Sequence, residues 1–451
     1  MTLSSKRQMR LGAHFHPTGH HVAAWLHPET DKDAPVNFRH YVRVTQTAER
    51  AKFDFIFLAD AVAMREANLA GLSRWPQYVA YFEPLTLLSG LAAVTERIGL
   101  AATCSTSFTE PYNLARYFAS LDHISNGRAA WNVVTTSNPA SAWNFGREKL
   151  DEHANRYAQA REFVDVVCGL WDSWDDDAFP RDRESGVYFD PAKLHVLRHQ
   201  GEHFSVRGPL NVARPPQGHP VIVQAGGSEA GRELAAETAE VVFSIPNALG
   251  QAQEFYSDVK ARMAKYGREP DQMKILPSLN PIVAETADEA EDKFQSLQSK
   301  VHEDVGRVLL AGELGGMDLS DLPVDSPFPI ERLQHVVDAG QTHFSKAVEI
   351  IKRDRPTIRE LYLRYSAARG ALPIRGTPAQ VVDFMQHWFE AGAGDGFMIA
   401  FSHLPGGLDD FVRLAIPELQ RRGLFRTEYE GATLRENLGL AKPRSRYHPV
   451  G

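Results

Sequence analysis

Cysteine is scarce in this chain: Cys104 and Cys168 are the only two in 451 residues. Two thiols cannot build a disulfide framework, and they fit a reducing compartment. Long hydrophobic runs are missing too. None approaches the ~20 apolar residues that a membrane-spanning helix needs, and the start, MTLSSKRQMRLGAHFHPTG, has no apolar h-region of a secretory signal. Positive charge is not in excess: 49 Lys and Arg against 57 Asp and Glu give a formal net charge of −8. That balance speaks against nucleic acid or an anionic membrane surface as partner, since both reward basic patches. There is no P-loop, no Gly-x-Ser-x-Gly elbow and no GxGxxG after the first strand candidate, which weakens a dinucleotide-binding reading. Internal repeats and low-complexity tracts are also absent. The expectation is a soluble, cytoplasmic protein.

What the chain does have is 43% hydrophobic content, ample for a core, and a regular alternation of short apolar runs with longer segments of helical period. Eight strands are expected: Met9–His16, Phe53–Asp60, Ile98–Ser107, Ala129–Thr136, Val221–Ala225, Val241–Ile245, Lys274–Ala284 and Gly396–Phe401. Helices are expected between them, among them Pro84–Thr95, Arg161–Trp174, Glu229–Ala239 and Thr377–Gly392, with Leu408–Arg422 kinked or cut short by Pro417. Strand then helix, repeated about eight times, points to a parallel sheet. The strands are nearly continuous apolar runs, which means burial on both faces. The predicted fold class is therefore α/β, a (β/α)8 TIM barrel, as a single domain over residues 1–451. Two long insertions interrupt it, at about 172–218 and 298–375, and a polar tail begins at about 426. Loops of that length serve as lids or interface elements; the tail is expected to wrap the surface or a neighbouring subunit.

Barrel active sites sit at the C-terminal ends of strands. That rule selects Asp60; Thr103, Ser105, Thr106 and Ser107; Asn132 and Thr135–Ser137; Gln224 and Gly226-Gly227-Ser228; and a histidine group, His14, His16, His20 and His21. After the Ala129–Thr136 strand a polar loop leads into a helix that opens with His153, Arg156 and Tyr157, and His153 and Tyr157, four apart, share one helix face. Ser228 opens a helix after a Gly-Gly turn. The free N–H groups there suit a phosphate, or Ser228 only caps the helix. Asp60 is either a site carboxylate or a helix cap, and Thr106 either a site hydroxyl or an ordinary strand end. His14-x-His16 puts two imidazoles on one strand face, but the rest of a metal site is missing, so no metal is expected and a substrate-pocket or packing role is favoured. Cys104 reads as a small core residue.

FDFIFLAD, EPLTLLSGLAAVTERIGLAATCSTSFTEPYNLARYFASLDHISNGRAAWNVVTTS, HANRYAQAREF and VIVQAGGSEAGRELAA, with the ending GLFRTEYEGATLRENLGL, resemble the two-component flavin monooxygenases of the bacterial-luciferase-like superfamily. The nearest group is the one containing nitrilotriacetate monooxygenase component A, EDTA monooxygenase, dibenzothiophene-sulfone monooxygenase and the pristinamycin-forming oxidase. The resemblance runs from about Met9 to Leu440. It implies a (β/α)8 barrel that takes reduced FMN from a separate NAD(P)H:flavin reductase, reacts it with O2 to a flavin peroxide and passes one oxygen atom to a small organic substrate. It implies flavin contacts at Asp60, Thr106, His153, Tyr157 and Ser228, with Asn132 a further candidate. Tyr157 and Ser228 would lie at the phosphate end, Asp60 and Thr106 nearer the ring. His20 is the candidate catalytic or substrate-orienting residue. A homodimer or homotetramer is expected.

The substrate pocket is expected to mix Trp25, Phe55, Phe57, Trp75 and Tyr78 with His20 and Arg65, which leans towards a neutral organosulfur compound or amine. Two other readings stay open at this point: a deazaflavin-dependent hydride-transfer enzyme of the same superfamily, and a flavin-binding barrel without turnover.

Overall fold

The computed structural model describes residues 7–64, 69–76, 78–335 and 341–448. Each expected strand forms one stave of a closed parallel barrel: β1 (Arg10–Phe15), β2 (Phe55–Leu58), β3 (Gly99–Ser105), β4 (Ala129–Val134), β5 (Val221–Gln224), β6 (Val241–Ser244), β7 (Lys274–Val283) and, after a ninth strand outside the ring, β9 (Gly396–Ala400). Sequence neighbours pair around the ring, β9 pairs with β1, and β7 closes it by pairing with both β6 and β9. The extra strand, β8 (Leu372–Gly376), pairs only with the far end of β7, Leu279 to Val283. Among the described residues no helix is long and apolar enough to cross a membrane.

Burial on both faces explains the apolar runs. Trp131 points outwards from β4 into the helices Pro111–Ile124 and His153–Trp171, against Phe118, Phe163 and Trp171. The inward set is a second cluster, with Phe55, Phe57, Ala101, Ala130, Val221, Val241, Leu276 and Met398. Large and small residues interdigitate there. A Cβ on Gly12 of β1 would stand 2.7 Å from the side-chain ends of both Met398 and Phe55, so a larger residue there would force this packed layer to shift. Higher in the barrel, towards the C-terminal ends, the inward residues turn polar: Thr103 and Asn132 are register partners on β3 and β4.

The tail has a structural task that its polarity concealed. Leu434, Leu438 and Leu440 join the inward cluster and floor the barrel. Arg426 anchors the tail by donating to Asp54 at 2.6 Å, both groups buried, and Arg435 pairs with Glu240.

Helix starts follow the expected capping logic. Thr377 and Gln380 form a reciprocal capping box ahead of Pro378–Glu390. Pro417 sits in Ile416–Arg421, and the turn just before it, Phe411–Ala415, is π-helical. That wider turn absorbs the N–H that proline lacks. The second insertion is no bare loop. Its helices Glu303–Glu313, Gln341–Asp354 and Ile358–Ala368 gather an apolar cluster of their own that includes Leu310, Leu314, Phe328, Ile351 and Leu361. The first insertion is mostly irregular, with one short hairpin pairing His199–Gln200 with Ser205–Val206.

Candidate functional site

A cavity of about 330 Å³ opens at the C-terminal ends of β2 to β5. That is within the ~300–1,000 Å³ usual for cofactor and small-molecule sites. Its wall includes Asp60 and Ala61 after β2, Thr103 and Ser105 of β3, Val134 at the end of β4 and Thr135 to Asn138 after it, Gln224 of β5 and Ala225 after it, and Tyr157 from the helix behind β4. The parallel ladder brings these together, because residues at equal height on β3, β4 and β5 are register partners.

Several expected residues meet here. Asp60 accepts a hydrogen bond from the Tyr81 hydroxyl at 2.6 Å. Burial raises its pKa above the usual carboxylate range, against the lowering effect of that bond. The same phenol is raised by burial and by Asp60 beside it, so the proton rests on Tyr81. Asn132 does not itself line the cavity; it donates to Thr103, which does, at 2.8 Å, while its own Oδ1 is buried without a partner. Ser141 Oγ and Gln224 Oε1, both on residues of the cavity wall, are buried and unpartnered as well. Polar atoms held in that state cost about 1–3 kcal/mol each unless a ligand or water pairs with them.

The turn and helix start after β5 are built from glycine. Ser228 caps the helix Glu229–Thr238, its hydroxyl accepting from the Gly231 amide at 3.2 Å. Gly226 and Gly231 lie back to back: a Cβ on Gly226 would stand 2.9 Å from the Gly231 backbone. A Cβ on Gly231 would stand 3.1 Å from the Tyr157 hydroxyl. Tyr157 therefore overhangs a helix start, where free N–H groups and the helix dipole favour an anion. His153 packs against Tyr157 with the rings tilted, 4.8 Å between ring centres, but is itself exposed.

Thr106 is placed differently from the expectation. It is buried, its hydroxyl donates to the Val134 carbonyl at 3.2 Å, and it does not line the cavity. Its neighbour Ser105 does, paired at 2.6 Å with Thr136. Strand parity explains the exchange, because alternate residues of β3 face inwards. Tyr81 was missed by sequence reasoning, since the loop that carries it has no period and its partner is 21 positions away. Strained backbone clusters here: Tyr78, Ala80 and Thr136 all take positive φ, which bulky residues tolerate only when their surroundings hold them.

His20 lies at the edge of this region in a tight group with His14 and His16, ring centres 4.3–5.1 Å apart. All three are driven below the ordinary histidine range, first by burial, His14 to about 3. They are neutral at pH 7. Phe57 packs against His14, and Trp75 and Tyr78 stand nearby. Phe55 lies deeper, in the barrel core. Trp25 points elsewhere, to the Arg74 carbonyl. Arg65 falls outside the described residues. Cys104 packs partly buried against the core, in line with its reading as a small core residue, and burial pushes its thiol up to about 11.

Comparison with known proteins places these features in context. The family model for luciferase-like monooxygenases matches residues 15–395. The chain is 49% identical over 98% of its length to N-acetyl-S-(2-succino)cysteine monooxygenase of Bacillus subtilis (strain 168), covering 99% of that protein. It is 47% identical, over 98% of this chain and 99% of the relative, to nitrilotriacetate monooxygenase component A of Aminobacter aminovorans. A solved riboflavin lyase with modified FMN and its substrate riboflavin superposes with a TM-score of 0.85 at 30% identity, over 96% of each chain.

Proposed function

Because this chain belongs to the luciferase-like monooxygenase family, we propose that it is the oxygenase of a two-component system, taking reduced FMN from a separate NAD(P)H:flavin reductase and using O2 to put one oxygen atom into a small organic substrate. The observation that carries this reading is the cavity itself, with a polar upper wall on β3 to β5 and with Tyr157 on its wall, the Tyr157 hydroxyl lying close against Gly231 at the helix start after β5. An elongated cofactor with a hydrogen-bonding ring edge and a terminal phosphate suits that donor set. Flavin N–H and ribityl hydroxyl groups are the donors that the orphaned Asn132 Oδ1 and Gln224 Oε1 call for. Both curated relatives are named monooxygenases, one for a sulfur compound and one for an amine. A small organosulfur compound or amine is accordingly the substrate class in this reading. The word component in the second name supports the separate reductase.

Reduced flavin supplies the activation of O2; the chain supplies position, polarity and dryness. The Tyr157 hydroxyl, the Ser228 hydroxyl and the amides of the Gly226–Ser228 turn would hold the phosphate. Asn132 and Gln224 would hold the polar part of the cofactor. Tyr81 keeps its proton and donates it in a hydrogen bond to Asp60 Oδ1, which would fix that carboxylate at the cavity wall, next to where ring chemistry would occur. His153 would screen the phosphate from solvent, and Thr106 would act only by fixing β3 against β4. His20, neutral and buried, would orient substrate. The whole chain acts as one domain in this reading, with the second insertion covering the mouth, and it works as a homo-oligomer.

Two experiments test this. Tyr157→Phe and Ser228→Ala are each expected to weaken reduced-FMN binding by about 0.5–3 kcal/mol; anaerobic titrations that match wild type in both variants would remove the phosphate assignment. With reduced FMN and ¹⁸O₂, a panel of thioethers and amines is expected to yield product carrying one ¹⁸O atom. Reduced-flavin binding with no labelled product from any compound would leave a binding protein rather than an oxygenase.

A further inference from the structure

At Ser445–His448 the C-terminal tail turns against the first insertion. The His448 amide donates back to the Ser445 carbonyl at 3.0 Å, and the Arg446 amide donates to Asp172 at 3.0 Å. Three side chains meet at this turn. His195 Nε2 and His448 Nε2 lie 2.9 and 2.8 Å from the same oxygen, Asp175 Oδ1. One ligating atom from each residue falls within a 4.8 Å span. The two histidines stand 20 and 273 positions from Asp175, a separation that no sequence motif covers.

The group is held from several sides. Trp174 and Leu194 form an antiparallel bridge, flanked by the Asp175 amide on the Lys193 carbonyl at 3.1 Å and the His195 amide on the Ser173 carbonyl at 2.8 Å. Asp175 and His195 therefore ride on paired backbone. The His195 ring stacks on Tyr447, 4.3 Å between centres and 13° from parallel, which fixes its direction. The His448 ring stands at 80° to it. The two imidazoles thus approach one point from different sides.

The surrounding charges leave this point to a cation. Asp172, Asp175, Asp176 and Asp177 lie in one short run. Arg214 pairs with Asp172 and Asp176, Lys442 with Asp176, and Lys193 with Asp177. Asp175 is met instead by the two imidazoles. Two imidazole nitrogens and a carboxylate oxygen are a donor set that zinc takes. Zn–N and Zn–O bonds of about 2.0–2.2 Å in tetrahedral array put the donor atoms about 3.3 Å apart. An ion would enter once the present 2.8–2.9 Å contacts open by about half an ångström. The His448 side chain is 61% exposed, which gives an entry path and room for a water as fourth ligand.

We propose that Asp175, His195 and His448 form a structural zinc site that clips the C-terminal tail to the first insertion. Zinc takes a lone pair from each Nε2, so both imidazoles carry their hydrogen on Nδ1 in the bound state. The site lies far from the cavity. Tyr157 lines the cavity near the start of the helix His153–Trp171, and Asp172 caps the other end. The 19 residues between span about 28 Å. The ion therefore acts on stability and not on oxygen chemistry, and the inference does not depend on the monooxygenase reading. Its structural reward is clear: the same tail floors the barrel with Leu434, Leu438 and Leu440.

Untagged full-length protein, stripped with EDTA and dialysed free of it, is titrated with ZnCl2 by calorimetry. His195→Gln and His448→Gln remove one ligand each, and glutamine keeps a hydrogen-bond donor in its place. His203→Gln, an exposed histidine of the same insertion outside the cluster, is the control. Wild type and control are expected to take one Zn2+ per chain. Loss of even an outer-shell partner costs about 10–100-fold in metal affinity, so each ligand variant is expected to bind at least about a hundredfold more weakly. Zn2+ is also expected to raise the thermal midpoint and to slow tryptic cleavage after Arg444 and Arg446 in wild type and control, and to do neither in the two ligand variants. A wild type that takes up no Zn2+ overturns the proposal. So does uptake that is unchanged in both ligand variants. Uptake lost in Glu29→Gln but kept in His195→Gln and His448→Gln would place the ion at His27, Glu29 and His403 and would overturn it too.

Discussion

Gly226→Val is expected to lower reduced-FMN affinity about ten- to a hundredfold, with the barrel still folded. A Cβ at this position stands 2.9–3.1 Å from the Cα, carbonyl carbon and carbonyl oxygen of Gly231. Those are backbone atoms at the start of a helix, so they cannot rotate aside as a side chain would. Relieving the contact pushes the helix start away from the turn and from the Tyr157 hydroxyl. Overpacking of this kind costs about 1–3 kcal/mol, and each 1.4 kcal/mol is about tenfold in affinity. Anaerobic fluorescence titration measures the affinity, and urea unfolding monitors the fold. An affinity within about twofold of wild type would show that the glycine pair is a packing detail and no part of a phosphate site.

The second large effect is acid instability. His14, His16, His20, His21 and His403 are all shifted below the ordinary histidine value, first by burial; His14 falls to about 3 and His21 to about 4. In the unfolded chain the same groups protonate near pH 6.5. As pH falls below 6.5 the unfolded state gains protons that the folded state refuses. Folding stability is therefore fully present above about pH 6.5 and falls as pH drops towards 4. Each such histidine contributes about 1.4 kcal/mol per pH unit inside that window. Several together are large against the ~5–15 kcal/mol of a typical domain. Asp60 and Asp122, whose pKa values are raised by burial, act in the opposite sense, but at lower pH, near the carboxylate range. Urea midpoints measured from pH 7.5 to 5 are expected to fall steeply below 6.5. A flat profile would mean that these imidazoles are hydrated and charged in the folded protein.

The barrel was legible because its strands are buried on both faces and so appear as unbroken apolar runs such as Phe55–Leu58 and Val221–Gln224. β8 was not. Leu-Pro-Ile-Arg-Gly alternates buried and exposed positions and pairs with β7 beyond the ring, so it read as part of an insertion. The tail was misjudged for a related reason: Leu434, Leu438 and Leu440 are spread among charged residues, and the hole they fill is made by eight other segments. Strand ends located the cavity, and Asp60 and Ser228 were named from them, whereas Tyr157 was named from the helix that follows the fourth strand. Parity within a strand end was beyond that rule, and it separated Ser105 from Thr106. Contacts between distant segments were invisible to it. Tyr81 with Asp60 and Arg369 with His16 depend on closure of the barrel and on the insertion folding over its mouth.

The most direct test is a crystal structure of the protein with FMN reduced under anaerobic conditions. Density is expected in the 330 Å³ cavity, with the phosphate within hydrogen-bond reach of the Tyr157 hydroxyl and the Gly226–Ser228 turn, and a polar edge of the cofactor on Asn132 or Gln224. An FMN ordered elsewhere, or lying in this cavity with its phosphate turned away from Tyr157 and Ser228, would contradict the account.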